Sequence, residues 1–261
     1  MSSVTDNSQK SHASFVTEQF GAQARAYLES AVHSAGEDLD IMEKTVGERP
    51  DAIALDMGCG GGHVTFRLAP HVSKIVAYDL SADMLQTVAG EAARRGLSNV
   101  VTKQGAAEGL PCPDSSFDVV ATRFSAHHWR DVPAGLAQMY RAMKPGGTAL
   151  FADAVAAEDP LIDTWLQTIE VLRDPSHVRD YKVSEWEAMA KAAGFTVVET
   201  KRQRIRLEFS SWIKRIRTPE VNAAAIRALQ QQAPAEVARH FAFEADGSFM
   251  LDTAVVIATK N

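Results

Sequence analysis

From Ala52 to Asp153 short apolar runs alternate with segments of helical periodicity, and this alternation constrains the fold more than any single motif. The chain reads as strand AIALDM, helix GHVTFRLA, strand KIVAYD, helix SADMLQTVAGEAARR, strands NVVTKQ and FDVVATR, helix VPAGLAQMYRAM and strand TALFAD. Strands spaced by helices of this length pair in parallel through crossovers, so the pattern predicts an α/β fold with a doubly wound sheet. Helix ends agree: Ser81 is a candidate N-cap and Gly96 a stop, while Ser184 and Glu187 have capping-box spacing before EWEAMAKAA, with Gly194 just beyond. After Asp153 the rhythm becomes helix LIDTWLQTIEVL, loop RDPSHVRDY, the capped helix, strand TVVETKRQRIRLEF, helices within 209–240 and a closing strand FMLDTAVVIAT. Residues 1–13 are polar and read as a disordered leader, leaving 14–261 as one domain with helical caps at about 15–42, 160–181 and 209–240.

Four glycines, Gly58, Gly60, Gly61 and Gly62, fall between the first strand and the first helix of this series. Such a bare backbone suits positive φ or close approach of a ligand. A dinucleotide fingerprint would place its third glycine three positions after Gly60, where this chain has His63, so the spacing departs from the hydride-transfer pattern. Ligands of an open α/β sheet sit beyond the carboxyl ends of the strands. The residues to weigh there are Asp56 with the glycine turn, Asp79 at the end of the second strand, then QGAAEGLP, RFSAHHW and ADAV. Asp79 stands where an acid would accept hydrogen bonds from ribose hydroxyls.

A net charge of −6 over 261 residues gives no bulk attraction to nucleic acid or anionic membrane, and points to a small partner. The two cysteines, Cys59 and Cys112, have no metal-ligand spacing, so no metal is expected, and a reducing cytoplasmic compartment fits them. No run of eighteen apolar residues occurs, which argues against stable membrane insertion. Nothing in the sequence encodes an oligomeric state.

LDMGCGGG, AYDLSADML, GAAEGLPCPDSSFDVV and MKPGG together resemble the class I S-adenosylmethionine-dependent methyltransferases, nearest the ubiquinone/menaquinone-biosynthesis type (methyltransferase type 11). SAHHW, TWLQTIEVLRDPSHVRDY, LEFSSWIKRIRTPE and VARHFAFEADGSF look closer to its YafE-like bacterial subgroup. The resemblance implies a seven-stranded, mostly parallel Rossmann-like sheet with an antiparallel last strand. It also implies S-adenosyl-L-methionine as methyl donor, S-adenosyl-L-homocysteine as product, and a small-molecule acceptor, aromatic or quinone-like. By the same resemblance Asp56 and the backbone of Gly58, Cys59, Gly60 and Gly62 would cradle the amino-acid part of the cofactor. Asp79 would hold the ribose, with Leu80 and Met84 against the adenine. Tyr27, His63, Arg123 and Ser125 would complete the set. Relatives often carry GDAE where this chain has Gly105-Ala106-Ala107-Glu108, so the adenine edge would be met by Ala106 and Ala107 backbone or by Glu108.

Other readings compete. Tyr140 and Lys144 have the Tyr-x-x-x-Lys spacing of short-chain dehydrogenases, but Tyr140 falls in a core-packing helix and Lys144 opens KPGG, far from the ligand end. Arg202, Arg204 and Arg206 could meet RNA or a protein substrate, yet their alternation is that of a strand with one wet face. A non-catalytic cofactor-binding protein would share the glycine turn. His127 and His128 follow the fourth strand at the ligand end and are the candidate catalytic residues, as base or orienting group. His33 and His177 fall in segments that could form a lid, and the four tryptophans read mainly as core.

Overall fold

The computed structural model describes residues 11–21 and 36–261. Tyr27, His33, most of the expected leader and part of the 15–42 cap lie outside the described residues. Helix α1 (His12–Gly21) begins inside the expected leader, because Ser11 starts it: its Oγ accepts from Ser14 N at 3.2 Å and its carbonyl from Phe15 N at 2.9 Å.

Seven strands form one sheet in the order β3-β2-β1-β4-β5-β7-β6. They are β1 (Arg49–Met57), β2 (Val72–Asp79), β3 (Val100–Gln104), β4 (Phe117–Arg123), β5 (Met143–Ala154), β6 (Thr196–Leu207) and β7 (Phe249–Thr259). The first five pair in parallel, and β7 runs antiparallel to both β5 and β6. The sheet is therefore doubly wound, as the alternating sequence predicts, and seven-stranded and mostly parallel with an antiparallel last strand, as the family resemblance implies.

Successive strand residues point to opposite faces, and the core divides accordingly. Ala54, Ile75, Val119, Leu150 and Val255 meet Leu39, Met42, Val64 and Leu68 from α2 (Glu37–Val46) and α3 (His63–Leu68). Their neighbours Leu55, Val76, Val120, Phe151 and Val256 meet Leu136, Met139, Trp186 and Ala190 from α5 (Val132–Ala142) and α7 (Val183–Ala192). Between these in sequence, α4 (Ala82–Arg94) lays Leu85, Val88 and Ala92 against Ala77 and Phe66. A fourth cluster lies over the β6–β7 end, where α6 (Pro160–Arg173), α8 (Phe209–Arg215), α9 (Glu220–Gln231) and α10 (Ala235–Phe241) bury Leu166, Trp212, Ile226 and Phe241.

Three local expectations change. KPGG is not a turn before β5 but part of it: the register slips between Phe117↔Met143 and Val119↔Thr148, and Gly146 takes φ 76° while donating to Lys260 O at 2.7 Å. Ser184 and Glu187 form no capping box, because α7 starts one residue before Ser184. Glu185 Oε2 accepts from Lys182 N at 2.8 Å, the Ser184 hydroxyl goes to Glu158, and Glu187 accepts from Thr200. The β1 strand also begins earlier than Ala52, at Arg49. On β6, Arg202, Arg204 and Arg206 are exposed, with Arg204 paired to Asp252 and Arg206 to Glu244, both at 2.6 Å. Among the described residues no helix is long and apolar enough to cross a membrane.

Candidate active site

The strands diverge in order between β1 and β4, which opens a crevice at their carboxyl ends. The glycine turn leaves β1 there. Gly58 N and Cys59 N donate to Tyr78 O at 2.7 and 3.0 Å, so the turn is pinned to β2. At Gly58 (φ 70°) a Cβ would lie 1.9 Å from Ser125 Oγ, so only glycine lets the turn close on the segment after β4. Gly60 (φ 47°) differs: its N–H donates to Asp79 Oδ2 at 2.9 Å, and a Cβ would meet nothing within 4 Å. Its bare backbone faces open space.

That space is a cavity of about 1140 Å³ out to its open mouth. Asp56, Gly58, Cys59, Gly60, His63, Asp79, Leu80, Met84, Ala106, Ala107, Glu108, Arg123, Ser125 and His128 all line it. Gly62 does not; its φ of 81° starts α3, and a Cβ there would press on Phe66 and Val88 at 2.9 Å, so it is a packing glycine. His127 lies outside this cavity as well.

Asp56 is 1% exposed, and its Oδ2 accepts from Thr65 N at 3.0 Å and Thr65 Oγ1 at 2.7 Å. Burial lifts its carboxyl to about 7. Asp79 binds Gly60 N through one oxygen and Ser81 N at 2.8 Å through the other. Burial raises its pKa, opposed by those N–H groups. Each carboxylate oxygen of Asp79 keeps a second lone pair for a ligand. Arg123 ends β4 in a buried ion pair with Asp38, which ties α2 to the cavity wall. Glu108 accepts from Asp131 N at 3.3 Å, and Ala106 O accepts from Tyr78 Oη at 2.9 Å, so that carbonyl is already engaged.

Sequence reasoning missed the contribution of α1. His12, Ala13, Val16 and Phe20 line the cavity, and α1 is held across it by His12 Nε2 to Ser176 O and Gln19 Nε2 to Ile216 O, both 3.0 Å. The signal in the sequence was the helical cap expected at about 15–42, which overlaps α1.

A second cavity adjoins the first and shares Phe20, Phe124 and His128 with it. Its floor holds His127, Glu170, Arg173 and Asp180, and Ile205, Leu207, Trp212 and Leu251 form an apolar wall. His127 Nδ1 lies 2.5 Å from Asp153 Oδ1. Burial would depress its pKa, but the Asp153 carboxylate overrides this and raises it to about 9. Burial and the neighbouring His127 charge push His128 down to about 3, and burial with the nearby His127 and His128 charges takes His177 to about 2. His128 Nδ1 sits 3.2 Å from Ser176 O. The 174–182 loop is fixed over this floor. Val178 N donates to His127 O at 2.8 Å, and Gln167 bonds the backbone N and O of Asp180 at 3.1 and 2.8 Å. Asp180, Glu170 and Arg173 were not singled out in the sequence, and Asp153 only as part of ADAV. Tyr140 and Lys144 take no part: Tyr140 packs on Phe195, and Lys144 pairs with Asp118 at 2.8 Å.

Residues 55–151 match the family model described as a methyltransferase domain. The chain is 47% identical over 203 residues to the uncharacterized protein YafE of Escherichia coli (strain K12), covering 78% of this chain and 98% of that protein. It is also 37% identical over 200 residues to the uncharacterized methyltransferase YcgJ of Bacillus subtilis (strain 168), covering 77% of this chain and 79% of that one. The chain belongs to the class I S-adenosylmethionine-dependent methyltransferase family. The YcgJ crystal structure superposes with a TM-score of 0.82 over 86% of this methyltransferase and 98% of YcgJ, at 33% identity. Likeness to the demethylmenaquinone methyltransferase of Chlorobaculum parvum is narrower, 32% over 117 residues, or 44% of this chain and 46% of that one.

Proposed function

We propose that the glycine-turn cavity binds S-adenosylmethionine and that the second cavity receives a small-molecule acceptor. The observation that carries this reading is the junction itself: two cavities meeting at Phe20, Phe124 and His128, one lined by the glycine turn and acids, the other by histidines and an apolar wall.

The donor set suits the cofactor. Asp56 and Asp79 offer carboxylate oxygens to an ammonium and to ribose hydroxyls, the bare Gly60 backbone leaves room for close approach, and Leu80 and Met84 give an apolar face to an adenine. When bound, S-adenosylmethionine supplies a methyl group already activated on a sulfonium. What the chain must add is alignment, and holding two reactants in attack geometry contributes roughly 7–11 kcal/mol. His128 borders both cavities and is placed to orient the acceptor's reacting group. The wall of Ile205, Leu207, Trp212 and Leu251 beside a polar floor favours an acceptor with an apolar ring and a polar substituent, a class that includes quinone-like molecules.

Calorimetry on the full chain tests the cofactor assignment. S-adenosylhomocysteine is expected to bind one per chain, whereas NAD and NADP give no heat; binding of either dinucleotide, or none of S-adenosylhomocysteine, overturns it.

A further inference from the structure

We infer that His127, Asp153 and Asp180 form a binding site for a divalent transition-metal cation in the floor of the second cavity. One candidate ligand atom from each of the three lies within 4.8 Å of the others. They come from three elements: the segment after β4, the end of β5, and the loop between α6 and α7.

Two further observations separate this cluster from an ordinary group of acids. Asp153 and Asp180 are 3% and 1% exposed, and Oδ2 of each is buried with no hydrogen-bond partner. Asp153 Oδ1 already accepts from His127 and from Ala154 N at 2.9 Å, so its other oxygen is the one left over. A buried carboxylate oxygen without a partner costs free energy that a cation would recover. The scaffold is also preorganised, because the hydrogen bonds from Gln167 and to His127 O hold the Asp180 loop against the floor.

The donor set indicates the ion. One imidazole and two carboxylates suit Mn²⁺, Fe²⁺ or Zn²⁺ better than a thiolate-seeking metal. Three ligands about 2.1 Å from one tetrahedral ion stand about 3.4 Å from one another, so the widest separation in the cluster closes by roughly an ångström as the ion binds. His127 and Asp180 line the cavity while Asp153 does not, so the ion would present an open face to the cavity. There a hydroxyl or enol oxygen would complete its shell. This last point rests on the second cavity being the acceptor site; binding of the ion does not.

The test uses the tag-free full chain, stripped with a chelator and titrated with MnCl₂ by calorimetry, the bound ion being counted by electron paramagnetic resonance, with ZnCl₂ in a second series. One ion per chain is expected. Asp180→Asn should weaken it at least tenfold, and His127→Gln likewise, with circular dichroism confirming the fold of each. Asp114→Asn, on an exposed carboxylate that pairs with Arg141 at 2.6 Å, should leave it unchanged. Substoichiometric binding of both ions, or equal binding by Asp180→Asn, overturns the proposal. S-adenosylhomocysteine titrated in parallel keeps the two readings apart, since loss of its binding counts against the cofactor cavity and not against the metal.

Discussion

Asp79 shows how much a single residue can announce. An acid at the end of a second parallel strand has few structural duties, and here it holds the glycine turn through Gly60 N while facing the cavity. Asp79→Ala is expected to weaken S-adenosylhomocysteine binding by about 1.5–3 kcal/mol for each charged hydrogen bond lost, read by calorimetry; unchanged affinity would remove the ribose assignment. His128→Gln should leave that affinity intact and slow turnover once an acceptor is known, by a factor within the 10²–10⁴ typical of positioned polar groups. The lining of the glycine-turn cavity was legible because its residues are local to strand ends that the apolar pattern locates. Asp153 stood in the strand-end segment ADAV, but its partner Asp180 was not legible, because only tertiary packing buries the two beside His127. Gly62 stands apart from the cavity lining, and spacing alone does not separate a glycine that lines a cavity from one that lets α3 pack on Val88.

At the scale of elements, the helices over the first sheet face are stitched together by charge as well as by apolar contact. His71, after α3, bridges Glu43 of α2 at 2.9 Å and Glu48 at 2.7 Å. The hydrogen bonds that the His71 ring donates to the Glu43 and Glu48 carboxylates raise its pKa above the ordinary value. The folded state therefore binds the proton more tightly than the unfolded chain. The stabilisation is fully present below the unfolded value of about 6.5 and is lost as pH rises through the folded one. The gap in melting temperature between the parent and His71→Gln should accordingly be larger at pH 6 than at pH 9; a constant gap would mean that the bridge acts by packing alone. Strand and helix order could be read in advance because the periods of two and 3.6 residues differ clearly, but α7's first turn could not. Ser184 had the right chemistry for a cap, yet Glu158, distant in sequence, took its hydroxyl.

Across the whole molecule, the basic stripe of β6 and the two cavities are separate. Arg204 and Arg206 spend their charge on Asp252 and Glu244, and Arg202 sits on the same wet face. Replacing Arg202, Arg204 and Arg206 by Gln should leave S-adenosylhomocysteine affinity unchanged. Parent protein is expected to show no retention of RNA at physiological salt in a filter-binding assay, and retention abolished by the triple change would restore the nucleic-acid reading. The class of fold was visible in the alternation of its elements, whereas the joining of two cavities at Phe20, Phe124 and His128 depends on helix placement that no local pattern encodes. The position of β7 carries a consequence in time. It lies between β5 and β6 but follows both in the chain, and among the described residues β6 pairs only with it, so β6 joins the sheet once 249–259 have been laid along β5. The parallel half can collapse early on contacts closer in sequence, while the walls supplied by Ile205, Leu207 and Leu251 must wait for a distant loop closure. During synthesis, then, the glycine-turn cavity can take shape while the second one still has no walls.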